Sequence, residues 1–351
     1  MKRCASSSGF SLIELMVATG LLLIVSTIVT NAVMQMTHSQ KTIWNRTEMH
    51  SGIRGATELL QQEVGQAGRV TLPGGSMTLQ TNVDAAGIAA PCTPTATAPY
   101  WSGGVTPTVT VSSVNGLWAD AQKGIKLAVL DGNNSETITV QAIAGNTITA
   151  CFSRSHVAPK VMMALGGFAE GIIGPSPAYN VGAVVGTYVN GSDKNHLKLF
   201  GDVNGDGNMV FVEYVCDNGS IVGVASPSHN LYRNVIAFNA GAKPAVTSSE
   251  ILLTNVWPNP NDTDGSERPC FKYQWATING QQYVLDVAIT LTVQTEQIDT
   301  VTRQKQTETK ALLNVSPRNV FDVWTMIGYG EVNRVQSTPP SVTALLPNGT
   351  P

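Results

Sequence analysis

The residues with the densest chemistry run Asp202-Val203-Asn204-Gly205-Asp206-Gly207-Asn208-Met209-Val210-Phe211-Val212-Glu213. They match the twelve-residue pattern D-x-[DN]-x-[DN]-G-x5-E in full. Oxygens from Asp202, Asn204 and Asp206 would converge on one hard cation. Gly207 would permit the sharp turn, the main-chain carbonyl of Asn208 would add a ligand, and Glu213 would close the shell with two oxygens. Such a donor set selects calcium, in a structural role. Val210 offers no side-chain ligand at the ninth position, and residues 196–200 and 210–215 on either side read as strands. The expectation is therefore a calcium loop set into a hairpin, and the competing reading is an Asx-rich turn without metal. The shorter acidic turn Asp262-Thr263-Asp264-Gly265 reads as a turn alone.

Other chemistry is sparse. The five histidines, His38, His50, His156, His196 and His229, show no metal-ligand spacing. There is no G-x-S-x-G elbow, H-E-x-x-H pair or phosphate-binding glycine loop. The chain therefore does not read as an enzyme. Its net charge is −3, and Lys2 and Arg3 are the only strong basic cluster, which leaves no electrostatic footprint for nucleic acid. With 351 residues, 42% hydrophobic and only 13% charged against an average near 25%, the composition suits a β-rich domain outside the cytoplasm.

The N-terminus carries the second anomaly. Residues 1–9 are short, basic and serine-rich, and residues 10–36 then run almost wholly apolar, with Glu14 the only charged side chain before Lys41. The run exceeds the ~20 residues needed to span a bilayer, and Lys2 and Arg3 place the N-terminus in the cytoplasm. A carboxylate inside such a span costs about 2.5–3.5 kcal/mol at the bilayer centre and calls for a cationic partner. The sequence Gly9-Phe10-Ser11-Leu12-Ile13-Glu14-Leu15-Met16-Val17 resembles the class III leader of type IV pilins and pseudopilins. That resemblance implies cleavage after Gly9 by a prepilin peptidase/N-methyltransferase, an N-methylated Phe10, and Glu14 as the fifth mature residue. Pairing of Glu14 with the freed α-amine of a neighbouring subunit would neutralise both charges and set the register of a filament.

Ile53, Ala56, Leu60, Val64 and Ala67 recur at three- and four-residue steps, so an amphipathic helix is expected to continue to about residue 69, ended by Pro73-Gly74-Gly75. Loop-like sequence follows over 72–99. Strands are expected at 106–112, 125–130, 136–143, 147–152, 210–216, 230–237, 251–256, 283–294 and 307–315. The fold class is thus α+β: a long N-terminal helix, transmembrane and then amphipathic, packed on an enlarged antiparallel β-sheet. The organisation is leader 1–9, stalk helix 10–69, extracytoplasmic β-rich domain 70–336 and flexible tail 337–351.

With Cys4 lost in the leader, Cys92, Cys151, Cys216 and Cys270 remain in a compartment where disulfides form. Three connectivities are open. Cys92–Cys151 with Cys216–Cys270 is preferred, because sequential pairs join neighbouring hairpins.

A fainter resemblance runs through Asn230-Leu231-Tyr232-Arg233-Asn234, Leu252-Leu253-Thr254-Asn255-Val256, the stretch around Val287–Val293 and Ser316-Pro317-Arg318-Asn319-Val320. In that order these segments look like the PilW-type minor pilins and the related J-type pseudopilins of type II secretion. The resemblance implies a structural subunit at or near a filament tip, with other major and minor pilins and an inner-membrane assembly platform as partners. It would be made as a single-pass inner-membrane precursor and pass to the periplasm or a cell-surface pilus, whose roles are motility, adhesion or DNA uptake. The alternatives are a J-type pseudopilin and, from another class, a pilin-anchored calcium-dependent adhesin or tethered hydrolase.

Overall fold

The computed structural model describes residues 11–88, 90–97, 100–175, 190–221, 224–278, 281–299 and 302–349. Helix α1 (Leu12–Gln66) opens the chain. Its apolar first half leaves Leu12, Ile13, Leu21, Leu22, Leu23 and their neighbours exposed, whereas Ile53, Ala56, Leu60 and Val64 are buried in its second half. The helix stops at Gln66, short of the proline-glycine punctuation. Gly68 takes φ +84, a conformation open to glycine at little cost. The Asn319 amide donates to the carbonyls of Gln66 (3.0 Å) and Ala67 (3.3 Å) at the end of the helix.

Two compact units emerge, 1–51 with 294–307, and 52–293 with 308–351. In the first, the 294–307 hairpin is closed by Thr295 donating to the Gln306 carbonyl (2.8 Å), and Asp299 pairs with Arg46 of the helix at 3.7 Å. The second holds the β-structure.

Among its described residues, strands β1 (Met77–Leu79), β2 (Thr93–Pro94), β3 (Trp101–Ser102), β4 (Thr108–Thr110), β5 (Lys126–Leu130), β6 (Glu136–Ala144), β7 (Thr147–Ala150) and β8 (Lys160–Ala164) come first. Six of them form an antiparallel sheet in the order β1-β8-β5-β6-β7-β4, and β2 pairs with β3. After β9 (Gly167–Phe168), a second antiparallel sheet runs in sequence order through β10 (His196–Gly201), β11 (Val210–Asp217), β12 (Asn230–Ala237) and β13 (Ile251–Thr254). A third joins β14 (Val256–Trp257), β15 (Phe271–Ile278) and β17 (Thr307–Val315) to the long β16 (Gln281–Gln294). Helix α2 (Arg318–Gly328) buries Val320 and Val323 against Ala169 and Tyr283. The short β18 (Val335–Gln336) pairs in parallel with β9.

Leu127, Val129, Ile138, Val140 and Ile148 of the first sheet share one core with Phe200, Phe211 and Ile236 of the second. Most expected strands appear within a residue or two. The expected strand over 251–256 breaks at Asn255, whose φ is +57. The 72–99 stretch, expected to be loop, contains β1 and β2. The largest difference lies at 337–349, the described part of the 337–351 tail expected to be flexible. Residues Pro340–Leu345 form a 3-10 helix, and Val342 and Leu345 are fully buried in the core shared by the two sheets. Burying these side chains offsets the ordering of a segment whose prolines and polar residues suggested none.

Candidate functional site

The apolar half of α1 is the one helix among the described residues long and apolar enough to cross a membrane, its most apolar window having a mean hydropathy of 2.4. Three of its hydroxyls are satisfied within the helix: Thr19 donates to the Leu15 carbonyl (2.9 Å), Thr27 to Leu23 (2.8 Å) and Thr37 to Val33 (2.9 Å). These three therefore need neither water nor a neighbouring chain. Glu14 sits in the first turn, where its Oε2 accepts from the Ser11 backbone N–H at 3.1 Å. Gly9 and Phe10, the expected cleavage site, lie outside the described residues.

Farther along the same helix, buried Glu63 joins α1 to the second sheet. Strand register sets Tyr214 directly opposite Arg233, and both reach Glu63. The tyrosine hydroxyl donates to Oε2 at 2.5 Å and the guanidinium donates through Nε to Oε1 at 3.0 Å, with its NH2 also on Oε1. Burial, together with the Glu63 charge, pushes the Tyr214 hydroxyl's pKa upward. The arrangement resembles a bolt, with one carboxylate holding the helix at a fixed axial position on the sheet.

The acidic loop joins β10 to β11. Asp202 is fully buried, and its Oδ1 accepts from the Gly207 N–H at 3.3 Å. Its Oδ2 is buried without a hydrogen-bond partner, with Arg69 Nε 3.6 Å away. Asp206 Oδ1 accepts from the Asn208 N–H at 2.9 Å, and Asn204 Oδ1 accepts from Arg233 at 3.2 Å. Glu213 does not join them. It lies within β11, opposite Lys198 of β10, on the face away from Tyr214 because side chains alternate along a strand. Its Oε2 accepts from Lys243 at 2.8 Å, and its Oε1 accepts from the Gly349 N–H at 3.0 Å. Strand pairing continues up to Gly201 and Val210, so the last four positions of the motif are extended and cannot wrap back to the loop. Among the described residues no group of three or more His, Cys, Asp or Glu is placed to hold a metal ion.

Disulfides join Cys92 to Cys151 and Cys216 to Cys270, the sequential connectivity. Sequence reasoning missed a second buried polar cluster next to the first bridge. There His156 lies between Asp131 Oδ2 (3.0 Å) and Glu136 Oε1 (2.8 Å), while Lys160 holds the other Asp131 oxygen at 2.6 Å. Hydrogen bonds from Lys160 and then His156 lower the Asp131 pKa. This cluster ties β8 to the β5–β6 connection. Its histidine is consumed by two carboxylates.

Residues 4–30 match the family described as the prokaryotic N-terminal methylation motif. The match supports a type IV pilin-like or pseudopilin protein bearing a prepilin leader, a class generally structural and not enzymatic. Together with the apolar helix it is consistent with a membrane-anchored precursor. No curated protein and no solved structure matches the chain.

Proposed function

We propose that the chain is a structural minor pilin of the PilW type, acting in initiation or at the tip of a type IV pilus. The observation that carries this reading is the methylation motif over 4–30, ending in an apolar helix with a lone Glu14 in its first turn. A carboxylate so placed has no Lys or Arg in the apolar half of its own helix, whose first is Lys41, and the α-amine produced by leader cleavage in a neighbouring subunit supplies a cation. The enlarged β-domain favours a tip position, where nothing has to stack above it. Partners on this reading are the prepilin peptidase/N-methyltransferase, other pilins and the inner-membrane assembly platform. A J-type pseudopilin shares every one of these features and differs in which process, pilus formation or secretion, a deletion abolishes. The test is mass spectrometry of the mature N-terminal peptide from cells with and without the peptidase. A peptide starting at N-methylated Phe10 only when the peptidase is present supports the proposal, and an intact Met1 in both strains overturns it.

For the acidic loop, the calcium proposal narrows to Asp202, Asn204, Asp206 and the Asn208 carbonyl, without Glu213. Its support is the sequence pattern and the orphaned Asp202 Oδ2. Arg69 and Arg233, which face two of these side chains, already neutralise part of the loop and weaken the site.

A further inference from the structure

Residues 346–349 lie against the face of the second sheet opposite α1, and side chains grip them as they would a peptide ligand. Lys243 donates to the Pro347 carbonyl, His196 Nε2 lies 3.0 Å from the Gly349 carbonyl, and Glu213 receives the Gly349 N–H. Lys198 Nζ contacts two acceptors, the Leu346 carbonyl and Oδ1 of the Asn348 side chain. The Asn348 Nδ2 donates to Asp193 Oδ2 at 3.1 Å and lies 3.5 Å from His196 Nδ1. There is no slack at Gly349, where an added Cβ would fall 2.6 Å from Glu213 Oε2.

Lys198 has no close ion pair of its own in this cluster. Lys198 is fully buried, and its nearest carboxylate oxygen, Glu213 Oε1, is 3.8 Å away. That carboxylate is already paired with Lys243 at 2.8 Å. Both lysines thus share one glutamate, and the other carboxylate whose charge acts on Lys198, Asp193, is itself bonded to His196 and Asn348, so among the described residues the buried ammonium has no carboxylate at hydrogen-bond distance. Burial lowers the Lys198 pKa to about 7, so a large share of its side chain is free amine at neutral pH. A buried amine nucleophile, a carboxamide held against it, one carboxylate 3.8 Å from the amine and a second bonded to the carboxamide nitrogen are the components of an acyl transfer.

We propose that Lys198 and Asn348 condense into an intramolecular isopeptide cross-link, with Glu213 and Asp193 as the proton carriers. Glu213 removes a proton from the Lys198 ammonium, and the nitrogen lone pair attacks Asn348 Cγ to form the Nζ–Cγ bond. Asp193, whose Oδ2 holds the carboxamide Nδ2 at 3.1 Å, passes to that nitrogen the second proton that Nζ sheds. The Cγ–Nδ2 bond breaks, its electron pair leaves with ammonia, and the ammonia takes up the proton held by Glu213 and departs as ammonium. The balance is one ammonium and one primary amide giving one secondary amide and one ammonium ion, with no oxidant or reductant. Fixed geometry supplies the rate, since groups held in contact react as though at very high concentration. The product leaves Lys243 and Glu213 as a one-to-one pair and removes a buried ammonium that lacked a close carboxylate. Nothing in this step depends on the filament reading.

The test is peptide mapping of the full-length wild-type chain, purified in detergent, reduced and digested with trypsin. Cross-linking blocks cleavage after Lys198 and yields a branched peptide in which residues 195–233 carry residues 335–351, lighter than the two together by one ammonia. Linear peptides with cleavage after Lys198 and unmodified Asn348 would overturn the proposal, and so would Asn348 converted to aspartate without a branch. In Asn348→Ala the branch is lost. In Glu213→Gln, with both disulfides formed and an unchanged circular dichroism spectrum, linear peptides support the proton-carrier role; a branched peptide in that variant would refute it. The wild-type map decides the cross-link even if a variant fails to fold.

Discussion

Replacing Glu63 with alanine tests the argument that one carboxylate bolts α1 to the second sheet. The substitution leaves the fully buried Tyr214 hydroxyl without its acceptor, at a cost of about 1–3 kcal/mol. It also strips the counterion from Arg233. Removing one partner of a wholly buried pair costs about 3–5 kcal/mol, but the Arg233 side chain is 24% exposed and keeps Asn204 Oδ1 at 3.2 Å, so about half that range applies. The combined loss is about 3–5 kcal/mol, equivalent to a Tm lower by about 6–15 °C for a domain of this size. The assay is thermal unfolding followed by circular dichroism on the full chain in detergent. The control is Glu58→Ala on the same helix, whose partner Arg54 and own side chain are both largely exposed, and it should not shift the Tm measurably. If Glu63→Ala melts within 2 °C of Glu58→Ala, roughly the scale of an unpaired surface change, the bolt does not exist as described.

Other outcomes follow from the same geometry. Gly9→Val should leave an uncut precursor in the inner membrane; normal processing would remove the pilin-type reading. Replacing Cys216 and Cys270 together with serine should cost about 2–5 kcal/mol, read as a lower urea midpoint, because the bridge fastens β11 to the residue preceding β15. Calcium should raise the Tm of wild type but not of Asp202→Asn paired with Asp206→Asn, since a ligand stabilises the state that binds it; equal responses would sink the metal assignment. In Asn348→Ala, Lys198 remains a titratable buried amine. Its folded pKa of about 7 lies below the unfolded value near 10.4, so the unfolded chain binds more protons between these limits. Stability should therefore rise from pH 7 to about 10, by at most about 1.4 kcal/mol per pH unit. The cross-linked wild type should lack that rise, and matching slopes in the two proteins would contradict the isopeptide bond.

The sequence announced the helix and most strands because apolar spacing and β-branched runs are local signals. The second strand set, 230–237 and 307–315, coincides with β12 and β17 to the residue. Helix α2 was missed although Val320, Val323, Trp324 and Ile327 follow Pro317 at helical spacing, because the segment is short and its neighbours read as strand and tail. Strands β8 and β15 were missed for a different reason. Lys160-Val161-Met162-Met163-Ala164 and Phe271-Lys272-Tyr273-Gln274-Trp275 mix long and polar side chains, and their pairing is decided by partners far along the chain. At the acidic loop, the twelve-residue pattern obscured a second signal in the same residues. A hairpin closing at Gly201 and Val210 necessarily sets Glu213 opposite Lys198, which commits the carboxylate to the sheet instead of the turn. The order of the 337–349 segment was not legible, because it depends on a groove built from β10, β11 and the Lys243 loop.

The two disulfides also determine how the folded chain would behave if pulled. Each closes a segment lying wholly to the C-terminal side of α1, with separations of 59 and 54 residues. Neither bridge includes the helix. At about 3.4 Å per extended residue, each one keeps about 200 Å of chain from paying out under tension. A force arriving through the helix could therefore strip α1 from its sheet, yet the strands between Cys92 and Cys151 and between Cys216 and Cys270 would remain short closed loops, poised to refold in place when the load is released.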